Sequence, residues 1–385
     1  MAAFLPVSLV AEPDRNRRVK KIIFVTDQIE STAIGGREQL GKSILNLLSQ
    51  MDHLEVEEFV LPEDVGRGFS PVVRRLAGYV NGATKESIAL LVDLVRTRQA
   101  DAVWLNGSNL GRIAQALRAA RPSTEILTFF HNCETRFFLG AFRQRPSIRA
   151  VGVLIANAIA ERLAVRHSDF RICLSDRDSR MLRSLYGQGG SHILPMALED
   201  QLERGIDVSR APPAQKYALF VGGSFYANRQ GMEWYADNVA ARAAMKVCVV
   251  GKGFELWKDR LEKNGNVEVV GRVDDLRPWY LDAQVVIAPI FDGSGMKTKI
   301  GEALMFGKRV LGTEEAFSGY ESLVGVAGEC CTTADQYLDA LSREAERTHV
   351  TIDWRLRSIY LDNYSFEAAR RRLRGILRLD GASCQ

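Results

Sequence analysis

The segment Val285–Gly312 contains the residue types best suited to chemistry in this chain of 385 residues. It reads VVIAPIFDGSGMKTKIGEALMFGKRVLG, which predicts a buried strand ending at Pro289, a glycine-rich loop and a helix that begins near Met296. Gly293 and Gly295 permit a tight turn, and such a turn leaves amide hydrogens available at the start of the helix. A helix N-terminus of this kind suits a phosphate group.

Charged side chains accompany this loop. Lys297 and Lys299 add positive charge, and Glu302 follows on the same helix. The carboxylate of Glu302 is suited to accept hydrogen bonds from sugar hydroxyls, such as a ribose diol. A phosphate site within two helical turns of a diol acceptor predicts a nucleotide pocket. Spacing alone also fits a glycine-rich turn with a solvated lysine pair and an exposed glutamate, so both interpretations stay open.

The elements that must position this loop follow a regular alternation of apolar runs and amphipathic stretches. Most of the apolar runs lack polar alternation, which indicates parallel strands covered on both faces. The predicted strands are Lys21–Asp27, Leu54–Leu61, Ala102–Leu105, Ile126–Phe130, Phe170–Leu174, Tyr217–Val221, Lys246–Val250, Val267–Val270, Val285–Pro289 and Arg309–Leu311. Predicted helices include Arg37–Met51, Lys85–Arg98, Arg229–Arg242 and Phe254–Lys263.

The alternation breaks at 198–215, where charges and Pro212-Pro213 indicate a linker, and then restarts. We therefore predict an α/β protein with two Rossmann-like, doubly wound domains that face each other across a cleft. The first covers 1–205 and the second 206–361, and a basic helix follows over 362–385. Ligands of such sheets bind outside the carboxyl ends of the strands, so the loops after strands are the candidate sites.

Composition fits a folded globular protein, with 46% hydrophobic and 25% charged residues. No apolar run approaches the ~20 residues of a membrane span, and the N-terminus does not resemble a secretion signal. Six scattered cysteines suit a reducing, cytoplasmic setting, and five scattered histidines favour no metal site. The net charge of +4 lies within residues 1–200. No zinc finger, RRM or helix-turn-helix signature points to nucleic acid.

The run Asp292–Lys299 resembles the donor-binding region of the retaining glycosyltransferases with the GT-B fold, in family 4. It matches the Gly-Ser-Gly-x-Lys-x-Lys form of one subgroup and continues into Glu302, Ala303, Leu304 and Gly307. Other members have a glutamate where this chain has Ser294. The resemblance implies transfer of a sugar from a nucleotide-sugar to a glycan or lipid-linked acceptor, with retention. It also implies that neither a metal nor a cofactor is needed.

The same resemblance assigns site residues. His131, Lys297 and Glu302 become catalytic candidates, although His131 also fits a hydrogen-bonded structural histidine. The family's usual Arg and Lys are replaced near Gly223 and Arg229, so the match there is partial. The residues that would bind the donor are Gly35, Gly36, Gly223, Ser224, Arg229, Val273, Asp292, Gly293, Ser294, Gly295, Met296, Lys297, Thr298 and Glu302.

In this fold the acceptor sits on the N-terminal domain, where Glu134, Arg136 and Arg143 are candidates. Between 136 and 149 there are four arginines and no acid, and the apolar stretch Val151–Ala160 follows. Such a face suits a lipid-linked glycan at the inner membrane surface. A core helix with snorkelling arginines fits the same residues. The basic tail Ser365–Leu379 predicts a helix packed on the first domain.

Three other functions fit parts of the sequence: nucleotide hydrolysis at a P-loop, nucleotide-sugar binding without transfer, and epimerisation of a nucleotide-sugar. Gly36–Ser43 fits the P-loop pattern GxxxxGK[ST], but it begins several residues beyond the strand end, so Lys42 and Ser43 are predicted inside a helix. Ser294 and the missing Arg motivate a catalytically degenerate homologue that binds a nucleotide-sugar without transfer. A nucleotide-sugar epimerase of the same architecture is the third hypothesis.

Overall fold

The computed structural model of the chain describes residues 18–27, 36–62, 69–202, 213–293 and 295–379. Two of the predicted donor-site residues, Gly35 and Ser294, lie outside these ranges. The central part of the predicted linker, 203–212, also lies outside them.

The first domain is built on a parallel sheet that has six strands within the described residues, in the order β2-β1-β3-β4-β5-β6. Its strands are β1 (Lys20–Asp27), β2 (Leu54–Leu61), β3 (Ala102–Leu105), β4 (Glu125–Phe130), β5 (Phe170–Cys173) and β6 (His192–Ile193). Its helices are α1 (Gly36–Ser49), α2 (Phe69–Leu76), α3 (Lys85–Arg98), α4 (Gly111–Ala120), α5 (Glu134–Gln144), α6 (Ile148–His167) and α7 (Asp176–Tyr186).

The second domain has another parallel sheet, with the described order β12-β11-β10-β7-β8-β9. Its strands are β7 (Tyr217–Val221), β8 (Lys246–Val250), β9 (Val267–Gly271), β10 (Val285–Ala288), β11 (Val310–Gly312) and β12 (Gly328–Cys330). The helices are α8 (Tyr226–Asn238), α9 (Lys258–Glu262), α10 (Arg277–Asp282), α11 (Thr298–Met305), α12 (Ala334–Glu346), α13 (Trp354–Asn363) and α14 (Phe366–Ile376).

The all-apolar strands are buried as the sequence pattern predicts. Every residue of β3 and β10 is buried, because helices cover both faces of each parallel sheet. The predicted fold class, an α/β protein with two Rossmann-like sheets, is confirmed.

Several predicted boundaries were wrong. Helix α8 begins at Tyr226 instead of Arg229, and α11 begins at Thr298, two residues after Met296. The predicted helix Phe254–Lys263 is divided into a short 3-10 helix and α9. The P-loop-like run does lie in a helix, since α1 includes both Lys42 and Ser43.

Helix α6 combines the two interpretations that the sequence left open. Its second half packs into the domain, with Ala156, Ala160 and Val165 buried. Its first half is exposed, and Ile148 at its start is 94% accessible to solvent. None of the described helices, α6 included, has the length and apolar character needed to cross a bilayer.

Two chain segments pass between the domains and bond to each other where they cross. The Leu198 amide donates to the Tyr364 carbonyl at 2.8 Å, and the Tyr360 hydroxyl donates to the Leu198 carbonyl at 2.9 Å. Beside them, Arg357 and Asp200 form a buried ion pair at 2.6 Å. The outgoing linker and the returning chain are therefore one hydrogen-bonded unit.

The returning chain ends on the first domain. Helix α14 buries Leu373 and Ile376, and Arg370 donates to Gln50 of the N-terminal domain at 3.3 Å. Nζ of Lys20 donates to the Leu377 carbonyl at 3.3 Å. The basic helix thus lies beside the beginning of the described chain.

Lys308 generates a prediction about stability and pH. Its side chain is 2% exposed, and its Nζ donates to the carbonyls of Leu281 and Val350. Burial lowers the pKa of Lys308 from 10.5 to about 7. Between these values the unfolded chain holds a proton that the folded chain lacks, so this lysine makes the free energy of unfolding rise with pH.

We expect Lys308→Met to remove that rise. The unfolding free energy of wild type should rise relative to that of the variant by about 1.4 kcal/mol per pH unit from pH 7 to 9. Urea unfolding of both proteins at three pH values measures it. Parallel profiles across this range would contradict the lowered pKa.

Candidate active site

The order of the second sheet places two strand ends side by side at a topological switch point. β10 pairs with β7 on one side and with β11 on the other. Right-handed crossovers then carry the helices after β7 and β10 to opposite faces of the sheet. A crevice opens between the two loops, and this is where open α/β sheets bind ligands.

The loop after β10 makes the turn that its glycines predict. Gly293 and Gly295 have φ values of 144° and 66°, in the region where a side chain is strained. The Gly293 amide donates to Oδ1 of Asp292 at 2.8 Å. Helix α11 follows, and its N-cap residue, Lys297, makes no side-chain cap. The positive end of α11 is thereby presented to the crevice.

Lys297 folds back over this loop. Its Nζ donates to the Gly295 carbonyl and to Oε1 of Glu315, each at 2.8 Å. Burial lowers the pKa of Lys297, and the Glu315 carboxylate opposes that shift. The predicted phosphate cation is present, but it is held in an ion pair on the wall of the cleft.

Lys299, which was predicted to add positive charge beside the loop, is buried and bonded to the helix after β7. It is 6% exposed, and its Nζ donates to Oδ1 of Asn228 at 2.7 Å and lies 4.4 Å from the Phe220 ring centroid. Asn228 in turn donates to the Gly223 carbonyl at 2.8 Å, directly after β7. Burial lowers the pKa of Lys299 to about 7. Lys299 therefore joins the two loops of the switch point.

Glu302 is fixed in orientation by an aromatic partner. Its Oε2 accepts the Tyr280 hydroxyl at 2.6 Å, and the fully buried Tyr280 ring stacks on Phe306 at 4.7 Å. Burial raises the pKa of Glu302, while the Tyr280 hydrogen bond and the charge of Lys299 oppose the rise. The carboxylate predicted to bind a diol is held by Tyr280, and the charge of Lys299 acts on it.

A cavity of about 780 Å³ separates the two domains in front of these loops. The second domain contributes the predicted residues Arg229, Asp292, Gly293 and Gly295 to its lining. The Arg229 guanidinium lies over the Trp257 ring at 4.6 Å. The first domain contributes Asn132, Arg136, Arg145 and Arg177. The cavity is therefore a charged cleft with contributions from both sheets.

One contact across the cleft was missed by sequence reasoning. Arg177 at the start of α7 forms an ion pair with Oε2 of Glu315 at 3.5 Å and hydrogen-bonds to Ser318. Glu315 thus binds Lys297 of its own domain and Arg177 of the other. Arg177 and Ser318 are 141 residues apart, and no local pattern pairs residues at that distance.

His131 lies at the carboxyl end of β4, facing the glycine loop. Its Nε2 is 3.0 Å from Oδ1 of Asn106, and its ring meets Phe129 edge-on. Asn106 packs against Gly41 of α1 so closely that a Cβ there would lie 2.3 Å from the amide nitrogen. The His131 carbonyl would lie 3.6 Å from a Cβ on Gly295. His131 is buried and positioned, with its backbone toward the second domain.

A buried carboxylate holds the loops around His131. Glu161 on α6 accepts hydrogen bonds from the backbone amides of Glu134 and Thr135, at 2.8 and 3.1 Å. It also accepts the Ser108 hydroxyl at 3.1 Å and the Tyr186 hydroxyl at 2.9 Å. No local sequence pattern indicates this role, because its donors come from three distant segments.

The remaining predicted residues occupy varied positions. Gly36 is the first residue of α1, while Gly223 and Ser224 form the loop after β7. Thr298 is exposed in the first turn of α11, Val273 is half-buried, and Met296 is buried in the core. Of the acceptor candidates, Glu134 is buried, Arg136 lines the cleft and Arg143 is exposed on α5.

These features define a two-domain α/β protein with a charged crevice at the interdomain cleft. Residues 215–347, which contain the whole switch point, match the family described as Glycosyl transferases group 1. Among curated proteins, no match is found.

Solved glycosyltransferase structures share the architecture. HepE of Anabaena in complex with UDP is similar with a TM-score of 0.63 and 15% identity, over 94% of this chain and 100% of that one. Sucrose-phosphate synthase of Thermosynechococcus elongatus is similar with a TM-score of 0.62 and 14% identity, over 94% of this chain and 98% of that one. The lipopolysaccharide outer core galactosyltransferase WaaB, in its apo form, is similar with a TM-score of 0.61 and 12% identity, over 93% of this chain and 99% of that one. This chain has their GT-B fold.

Glu161 generates a testable prediction. Glu161→Ala should lower the free energy of unfolding by about 2–4 kcal/mol, because it leaves several buried donors without an acceptor. Urea unfolding measures the loss. Arg162→Ala, the exposed neighbour on the same helix, should change it by less than about 0.5 kcal/mol. Equal effects of the two substitutions would show that Glu161 does not hold these loops.

Proposed function

We propose that this chain is a glycosyltransferase that moves a sugar from a nucleoside-diphosphate sugar to a glycan or lipid-linked acceptor. One observation carries the proposal. At the switch point of the second sheet, the glycine turn that leads into α11 lines the interdomain cavity, and Lys297, Lys299 and the fixed carboxylate of Glu302 lie buried or half-buried behind it. The family match over 215–347 covers these residues.

Each part of the crevice has a task in the proposal. The diphosphate lies against the loop Asp292–Gly295 and the start of α11, with Lys297 and Arg229 beside it. Glu302 accepts hydrogen bonds from the ribose diol. Asp292 holds hydroxyls of the transferred sugar. Lys299, buried behind the crevice, stabilises the negative charge of the phosphates through the loop that Asn228 fixes.

In the proposed reaction the bond between the anomeric carbon and the diphosphate oxygen breaks. The acceptor oxygen forms its new bond on the same face of the sugar, so that configuration is retained, and the acceptor proton passes to the departing phosphate. Fixed cations and amides aimed at the growing phosphate charge lower the barrier. Lys297 and the helix amides supply that charge here, so the proposal requires no divalent metal. His131, held by Asn106, positions the loop after β4 on the first-domain side of the sugar.

The neighbouring structures support this assignment by their own ligands. HepE has been solved with UDP and with UDP-glucose. We therefore take a uridine nucleotide as the first donor to test. For the acceptor, Arg136 and Arg145 in the cleft suit an anionic group. A cytoplasmic enzyme working at the inner membrane surface fits the scattered cysteines and the arginine-rich segment 136–149.

The donor pocket is tested by a thermal-shift screen of UDP-, GDP-, ADP- and TDP-sugars with their free nucleotides. A ligand at about 100 times its dissociation constant adds about 2.7 kcal/mol of stability, which gives a clear shift for the correct base. Glu302→Ala should then make the binding free energy of that ligand, measured by calorimetry, less favourable by roughly 1–3 kcal/mol, because charged hydrogen bonds are lost.

The matched control is Glu268→Ala, which removes a carboxylate on β9, away from the switch point. Its donor affinity should equal that of wild type. If no nucleotide shifts the protein, the proposal fails and a non-nucleotide ligand must be sought. If Glu302→Ala binds normally, Glu302 is not the ribose acceptor.

A kinetic prediction concerns Lys297. Lys297→Ala should lower turnover on the order of a hundredfold, as loss of a charge stabiliser does. Release of nucleoside diphosphate by slow donor hydrolysis measures it without a known acceptor. Lys258→Ala, at the start of α9, serves as the control and should retain the wild-type rate. A near-normal rate for Lys297→Ala would exclude this lysine from the leaving-group site.

A further inference from the structure

We propose that an apolar groove on the first domain binds the hydrocarbon chain of the acceptor, which is a lipid whose saccharide is attached through phosphate. The groove lies between α2, α5 and α6. This inference rests on the proposed function, because only a transferase has an acceptor. It adds the chemical class of the acceptor and the place where it binds.

The groove is a recess with mostly apolar walls and a volume of about 820 Å³. Helix α2 contributes Leu76, α5 contributes Phe138, and α6 contributes five apolar side chains and Gly152. A Cβ on Gly152 would lie 3.8 Å from the Leu76 side chain, so the two helices approach closely there. The polar part of the lining consists of Glu134, three asparagines and two arginines. A recess of this shape accommodates a chain of methylene groups.

The first half of α6 exposes apolar side chains to water, which is unfavourable in free energy. Its apolar side chains point in all directions, and the described domain covers none of them completely. Ile148 is 94% exposed and Ile155 43% exposed, and Val73 of α2 is 49% exposed. Contiguous exposed apolar surface of this kind marks a binding site. An apolar occupant of the groove would remove part of this surface from water.

Charge complementarity identifies the occupant as an anionic lipid. Arg75 and Arg149 line the groove, and Arg74 precedes Arg75 on α2. One carboxylate, Glu134, also lines the groove, but it is only 8% exposed, whereas Arg149 is exposed to solvent. Arginine is suited to phosphate because its planar guanidinium donates two parallel hydrogen bonds. A neutral hydrocarbon would make no use of these side chains.

The groove and the cleft lie on either side of α5 and of the turn between α5 and α6. Arg145, on one side of the turn, lines the interdomain cavity, and Arg149, four residues later, lines the groove. Helix α5 contributes Arg136 to the cavity and Phe138 to the groove. A lipid chain in the groove thus has its phosphate between Arg149 and Arg145 and its saccharide in the cleft, facing the donor.

Calorimetry with decyl phosphate, kept below the concentration at which it forms micelles, tests the groove on the full chain without any nucleotide. We expect saturable binding. Inorganic phosphate lacks the chain and should give no measurable heat. Decyl glucoside lacks the anion and should bind at least about tenfold more weakly than decyl phosphate, a difference of 1.4 kcal/mol.

Two variants locate the site. Gly152→Trp fills the groove and should lower the affinity for decyl phosphate at least tenfold. Arg149→Glu should lower that affinity by the same factor or more. Arg162→Glu makes the same charge change on the exposed face of the same helix, outside the groove, and should leave the affinity unchanged. Circular dichroism and thermal melting verify that each variant is folded.

Three outcomes would overturn the proposal. The first is wild-type affinity in Gly152→Trp, and the second is equal weakening by Arg149→Glu and Arg162→Glu. The third is binding to vesicles of phosphatidylcholine with phosphatidylglycerol but not to monomeric decyl phosphate, which would assign this face to the bilayer itself. Nucleotide binding is measured separately on the same variants, so failure of the groove and failure of the donor pocket are distinguished.

Discussion

The whole site depends on the fact that β7 and β10 are neighbours whose following helices leave on opposite faces of the sheet. Neither loop can cover the other, so both end in an open crevice. The backbone of the site comes from short stretches directly after a strand, with Gly222–Phe225 after one and Gly293 and Gly295 after the other, and the helices that follow add Arg229, Lys299 and Glu302. In the first domain the corresponding switch point lies between β1 and β3; Asn106 follows β3 there, and His131 follows the next strand, β4. The segments after β4 and β5 line the interdomain cavity opposite the loop after β10, and the linker and the returning chain connect the two domains.

Buried charges connect these loops, and each is balanced by a partner on another element. Lys299 on α11 binds Asn228 on α8, Glu315 binds one cation from each domain, and Glu161 on α6 binds the start of α5. Such groups contribute little net stability, since desolvation offsets their attraction. Their value lies in geometry. A buried polar group that is separated from its partner costs a large amount of free energy, so the pair stays in a single arrangement.

Sequence patterns predicted ten of the twelve described strands, because parallel strands need apolar residues on both faces and few other segments have that composition. They missed β6 and β12, which have only two and three residues. They were less reliable at helix ends, where α8 begins three residues earlier than the periodicity suggests and α11 two residues later. Within the site, Asp292 and Arg229 were found at the cleft, since loop position follows from the strand that precedes it. The Arg177–Glu315 pair and the role of Glu161 were beyond prediction, because they depend on how distant segments meet. Lys299 was expected to add positive charge beside the loop, and only the packing of β7 against α11 reveals that it is buried.

The crossing of the two interdomain segments has a mechanical consequence. Because Leu198 is bonded to Tyr364 and Tyr360, and Asp200 to Arg357, the connection behaves as a two-stranded strap instead of a single flexible tether. A strap of this kind bends readily about one axis and resists torsion, so the cleft can widen or narrow while its two walls stay in register. The residues beside Lys20 and Leu377 both lie on the first domain. Fluorophores attached there would move together and report nothing about the width of the cleft. A pair that spans the strap, with one label on each sheet, would follow it.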